Sequence, residues 1–207
     1  MRSIILNILL GLCLPLVTVA QRDAVKTFDA EGIQTIEINT DEVYLVHLKT
    51  TAANSIKVSA HSEGEYFNRI ALNYKLKKDK LIIASEYPEI LSGGYDKLSA
   101  HKVFSLEVWI ELPEDMDVRL SSNLAALVAE GNFRNLSANL NEGYCKLTGF
   151  TGNASINTFR GNILVETNNA QVEAESGSGR LRIPDNLRGT YIIRLKSVSG
   201  DISVFKN

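Results

Sequence analysis

From Val118 to Asn207 the apolar residues recur in doublets at a fixed distance. In rows of eighteen residues, Val118, Leu136, Ala154 and Val172 fall in one column. Leu120, Ala138, Ile156 and Ala174 fall in another, two places on. Further along each row Leu127, Cys145, Ile163 and Leu181 align, followed by Ala129, Leu147, Val165 and Ile183. A fifth row resumes after three extra residues, with Ile193, Leu195, Ile202 and Val204. One residue separates the two members of each doublet, the period of a strand with one buried face. Each row therefore predicts two short strands. A small residue stands between them (Ala125, Gly143, Gly161, Gly179 or Gly200), which predicts a tight turn, and a longer bend follows the second strand.

Self-similarity at such a period marks a chain wound into a solenoid. Stacked windings lie about 4.8 Å apart, so equal columns touch. The outward columns agree, because Glu173 falls against Arg194, Glu175 against Lys196 and Arg180 against Asp201. Exposed pairs contribute at most about 1 kcal/mol each, so they set register more than stability. Asn135, Asn153 and Gln171 form one more column, readable as an amide ladder or as ordinary solvated turn residues. A left-handed helix of hexapeptides would also have eighteen-residue coils. It requires an aliphatic residue at every sixth position, yet Glu130 follows Leu124 and Glu142 follows Leu136 at that spacing. The expected fold is all-β: a right-handed β-solenoid with coils of about 18 residues over 118–207.

Upstream, 21–117 predicts irregular, longer strands and no amphipathic helix. Ile33, Ile36 and Ile38 open it, Val43 to Leu48 follow, and Ile56, Val58 and Ala60 alternate. Ile70 to Leu76 and Leu81 to Ala84 flank the charged turn Lys77-Lys78-Asp79-Lys80 as a hairpin. Phe104 to Leu112 alternates most regularly and ends at Pro113. The stretch 86–102, with Pro88, Gly93 and Gly94, breaks pattern and reads as a surface loop. Residues 21–207 thus form one β-solenoid domain. Residues 1–20 read as a signal peptide: Arg2, an apolar run from Ile4 to Val19, then Thr18-Val19-Ala20 before cleavage at Gln21. The run is short and interrupted by Pro15, which disfavours a permanent membrane span. Lipid attachment at Cys13 is disfavoured by Leu12, where a small residue is required. Export to the periplasm, the outer surface or the medium is expected.

A net charge of −2 provides no field that would draw nucleic acid or an anionic membrane, and a 44% hydrophobic content supplies a core. Beyond the signal one cysteine remains, Cys145, in an inward column, where it reads as a small buried hydrophobe. His61, Glu63 and Glu65 would share one face of an extended segment, but Gly64 turns the chain and no second histidine is near, so no metal site is assigned. His47 and His101 are isolated surface residues. Lys75, Lys77, Lys78 and Lys80 make a basic hairpin tip of the sort that discourages edge pairing. Trp109 points outward beside Val103 and Ser105, either as an exposed stacking platform or beneath a neighbouring loop. No catalytic, cofactor-binding or metal-binding residue is assigned, and no cofactor is expected.

The segment Val-Trp-Ile-Glu-Leu-Pro-Glu-Asp-Met-Asp-Val-Arg-Leu (Val108 to Leu120) leads into rows carrying Ser-Gly-Ser-Gly-Arg-Leu (Ser176 to Leu181) and Val-Ser-Gly-Asp-Ile (Val198 to Ile202). In this the chain resembles the bacterial putative-adhesin β-solenoid domains of unknown function, relatives of the head-GIN putative adhesins. The resemblance implies a cell-envelope protein with a solenoid scaffold, and it carries over no catalytic residues. The rows at Val118 and Leu136 depart from its Ser-Gly pattern. The first expectation for function is a non-enzymatic scaffold that binds an envelope protein or glycan along its flank or at one end. The second is a self-associating solenoid of bactofilin-like coil size, joined through its terminal coil. A polysaccharide-processing enzyme ranks third, because the outward columns lack clustered carboxylates.

Overall fold

The computed structural model describes residues 22–41, 43–63, 71–86 and 105–207. The expected signal segment, nearly all of the 86–102 loop, Glu65 and His101 lie outside them. Fifteen strands and no helix occur among the described residues. They are β1 (Arg22–Asp29), β2 (Thr35–Asn39), β3 (Leu45–Thr51), β4 (Ser55–Glu63), β5 (Ala71–Lys77), β6 (Lys80–Glu86), β7 (Ser105–Pro113) and β8 (Asp117–Ser122). There follow β9 (Ala126–Glu142), β10 (Cys145–Arg160), β11 (Ile163–Glu166), β12 (Ala170–Ser176), β13 (Leu181–Arg182), β14 (Tyr191–Ser199) and β15 (Ile202–Phe205).

The strands form two faces. The first runs β5-β6-β2-β8, then the C-terminal halves of β9 and β10, then β14-β12. The second runs β1-β4-β7-β3, then the N-terminal halves of β9 and β10, then β11-β15-β13. The long strands β9 and β10 bend from one face into the other, so the chain coils. The expected register holds residue for residue: Val118 pairs Leu136 and Leu136 pairs Ala154, while Leu127 pairs Cys145 and Cys145 pairs Ile163. Val118, Leu120, Leu127, Leu136, Cys145, Ile156 and Ile163 are all buried in one continuous core between the faces.

The order of the coils departs from expectation. The fifth row does not lie outside the fourth. Strand β14 pairs β10 on one side and β12 on the other, and β15 pairs both β11 and β13, so the last row is inserted between the third and fourth. The charge pairs survive this exchange because rows four and five touch either way: Arg194–Glu173 is 3.0 Å, Lys196–Glu175 3.1 Å and Arg180–Asp201 3.0 Å. Ile193, Leu195, Ile202 and Val204 fill an inner coil, whereas row four ends the stack with Leu181 47% and Ile183 38% exposed. The column pattern of the sequence places both inside. The richer aliphatic row takes the position that removes more apolar surface from water.

The N-terminal half is also more regular than its sequence predicts. Strands β2 and β3 make a parallel coil on β8 and β9, with Ile36 against Val118 and Val46 against Leu127. Strands β6 and β7 make another beyond it. The hairpin β5–β6 is present, and β4 pairs antiparallel with both β1 and β7.

At the bend the core is closed by Met116, Phe133 and Phe150, all buried, with the two phenyl rings 5.6 Å apart. These residues recur every seventeen positions rather than eighteen, and at the same bend β10 shifts register against β9 between Thr148 and Asn153. Asn135, Asn153 and Gln171 do not form an amide ladder. Asn135 donates to Asp117, while Asn153 and Gln171 donate to the carbonyls of Arg134 and Gly189.

Candidate functional site

Leu120, Ala138, Ile156 and Leu195 point inward, so the residues beside them in β8, β9, β10 and β14 form the outer surface of the first face. Register aligns Arg119, Ser137, Ser155, Arg194 and Glu173 in one outward column. Ser121, Asn139, Asn157, Lys196 and Glu175 form the next. Here an amide ladder does exist, since the Asn157 side chain donates to Asn139 Oδ1 at 3.0 Å. The small serines and the flat amides leave a hollow of about 490 Å³ between Ser121, Asn139, Asn141, Asn157 and Phe159. A second hollow of about 310 Å³ adjoins it, sharing Asn157 and Lys196, and a third of about 310 Å³ adjoins the second, sharing Ser155 and Arg194. Together they make a trough across the coils.

The chemistry of this trough is neutral. Its two cations, Arg194 and Lys196, are held by Glu173 and Glu175. What remains is amide and hydroxyl beside the exposed aliphatic side chains of Val198 and Ile192, with Phe159 50% exposed at the rim and the Arg160 guanidinium 5.8 Å from its ring centre. Such a lining offers donors, acceptors and one aromatic face to a hydroxyl-bearing ligand. The outward signal was present in the sequence as Ser137, Ser155, Asn139 and Asn157, but only the stacked register shows that they join.

The second face carries the residues singled out by sequence. Trp109 of β7 lies between His47 of β3 and Ser59 of β4. Its ring stacks on His47 at 4.7 Å with planes 3° apart and meets His61 edge-on at 6.5 Å. Trp109 remains 36% exposed, so it is an aromatic platform shared with two histidines. His47 is therefore no isolated surface residue. Burial holds its imidazole below the usual pKa, with Glu107 opposing. Of the four lysines at the hairpin, Lys80 is taken by Glu37 at 2.6 Å, while Lys75, Lys77 and Lys78 are exposed. Cys145 is fully buried and its thiol is pushed well above its ordinary pKa by desolvation. Among the described residues no group of three or more His, Cys, Asp or Glu side chains is placed to hold a metal. No helix among them is long and apolar enough to cross a membrane.

A parallel coil stack with this register defines the class: a β-solenoid. Residues 114–207 match the family model described as Toastrack DUF4097, a domain of unknown function. Among solved structures the chain is similar to a putative cell adhesion protein from Clostridium sporogenes, at 15% identity and a TM-score of 0.68, over 90% of this chain and 100% of the other. It also matches a putative adhesin from Bacteroides fragilis, at 9% identity and a TM-score of 0.39, over 90% and 97% of the two chains. No curated protein matches it. The resemblance carried by Val108 to Leu120, Ser176 to Leu181 and Val198 to Ile202 is borne out by the family match.

Proposed function

We propose that this protein is an exported, non-enzymatic scaffold of the cell envelope or surface that holds an extended ligand against its first face. The observation that carries the reading is the continuous Ser/Asn trough with Phe159 at its rim. A rigid coil stack fixes those side chains in place before a ligand arrives, which reduces the entropy cost of binding. The adhesion-related names of structurally similar proteins support a surface role. Neutralised cations and the lack of an unpaired acid–base couple in the trough support a binding role over catalysis.

The test is a glycan array and an envelope pull-down with the exported protein, run beside the double variant Asn157→Ala/Phe159→Ala. Retention of a ligand that falls at least about tenfold, or about 1.4 kcal/mol, in the variant supports the trough. Equal retention by the variant moves the site elsewhere, and no retained ligand at all counts against the scaffold reading.

A further inference from the structure

The insertion of row five leaves row four as the end of the stack, and that end is bare. Among the described residues β12 pairs only β14 and β13 pairs only β15, so both faces finish with an unpaired edge. The core columns run out to solvent there. Leu127, Cys145, Ile163 and Ile202 are at most 1% exposed, whereas Leu181 in the same column is 47% exposed. Ala129, Leu147, Val165 and Val204 are at most 3% exposed, whereas Ile183 is 38% exposed. Val172 and Ala174 are half-buried beside them. Solenoids ordinarily cover such a cross-section with a polar cap, because a repeat that buries one side only is unstable in water.

We infer that row four is a dimer interface, closed end to end by a second copy of this chain related by a two-fold axis. Three observations choose that occupant. The two faces end level at row four, since β12 and β13 belong to the same coil. Among the described residues the opposite end is stepped: beyond the β2–β3 coil the first face has two more strands, β6 and β5, and the second has three, β7, β4 and β1. A level end fits a copy of itself in both sheets at once, whereas head-to-tail stacking would set a level end against a stepped one. The outward acids of β12 are already neutralised by Arg194 and Lys196, so little repulsion opposes the approach.

Register follows from charge. An axis through Glu173 would set two carboxylates opposite each other, and an axis through Ala174 would set Glu173 against Glu175 of the second copy, both unfavourable. An axis through Val172 instead sets Gln171 against Glu173 of the second copy and Val172 against itself. The β12 strands then continue the first face across the interface by main-chain pairing, antiparallel there where its own coils pair in parallel. A two-fold contact closes, so the assembly stops at two chains.

Sedimentation equilibrium of the exported protein tests this. A monomer–dimer equilibrium with no larger species is expected, with the dimer dissociation constant raised at least tenfold by Val172→Lys or Leu181→Lys. Cysteine scanning gives a second readout that leaves the fold intact. With diamide as oxidant, Val172→Cys is expected to form a disulfide-linked dimer more readily than Gln171→Cys or Glu173→Cys, because only the residue on the axis meets itself. The native Cys145 is buried and does not compete. A monomer at every concentration overturns the inference. So does an open-ended polymer, or a dimer that neither lysine weakens and Val172→Cys does not trap.

Discussion

At the residue scale the solenoid depends on its turn column. Gly161 lies on the turn at Gly143, Gly200 on Gly161, and Gly179 on Gly200, and a Cβ at any of them would overlap the carbonyl oxygen beneath. The column is small because turns in adjacent coils nearly touch, not only because a turn favours glycine. Ala125, itself buried, supplies the carbonyl on which Gly143 packs. Gly161→Ala is expected to destabilise the protein by about 3 kcal/mol through overpacking, measured by urea unfolding. A shift below about 1 kcal/mol would mean that the turns can separate. Hydroxyls hold the same place: Thr158 and Ser197 both donate to the Gly161 carbonyl, at 2.9 and 3.1 Å. Removing one of them by Ser197→Ala should cost about 1 kcal/mol, because the other donor remains.

At the element scale two contacts make stability depend on pH. Strand β2 is tied to β6 by Lys80, whose hydrogen bond to Glu37, helped by that of Asn39, holds the Glu37 carboxyl below its ordinary value of 4.5. A depressed acid contributes stability above its unfolded pKa and loses it as pH falls through the folded one. Glu37→Gln should therefore flatten the decline in stability below pH 4.5, read from unfolding midpoints across an acid series. On the second face β3, β7 and β4 bring His47, Trp109 and His61 together. Burial depresses His47 from 6.5, so the folded state prefers the neutral ring, and stability falls as pH drops from 6.5 toward the folded value. Trp109 fluorescence should titrate with a midpoint below 6.5, and His47→Phe should abolish that titration. The strand pattern of β7 placed Trp109 outward correctly. Its two histidine neighbours belong to strands 62 and 48 residues earlier, at His47 and His61, and alternation within one strand says nothing about which strands lie beside it.

At the scale of the whole molecule the coil order is the decisive feature. If row five lies between rows three and four, ending the chain at Thr190 removes β14 and β15 and leaves β12 and β13 without partners. Hydrogen exchange on that truncated chain should show the β12 amides unprotected while β8, β9 and β10 stay protected. Stacking in sequence order would instead leave β12 protected against β10, so the experiment separates the two topologies.

Sequence alone determined which residues of rows one to three and five face the core and which columns meet, because inward–outward alternation is local and the repeat carries it in register. It also placed the three ion pairs, which require only that rows four and five be neighbours. Tertiary structure decided everything that depends on which coil lies next to which: the inserted last row, the exposed Leu181 and Ile183, the coils built from β2–β3 and β6–β7, and the joined trough at Asn139 and Asn157. The physical reason is that interchangeable aliphatic columns accept one another in several orders. The entropy of closing a longer connection rises only logarithmically with its length, so a chain can step back over a coil when burying better aliphatics rewards it.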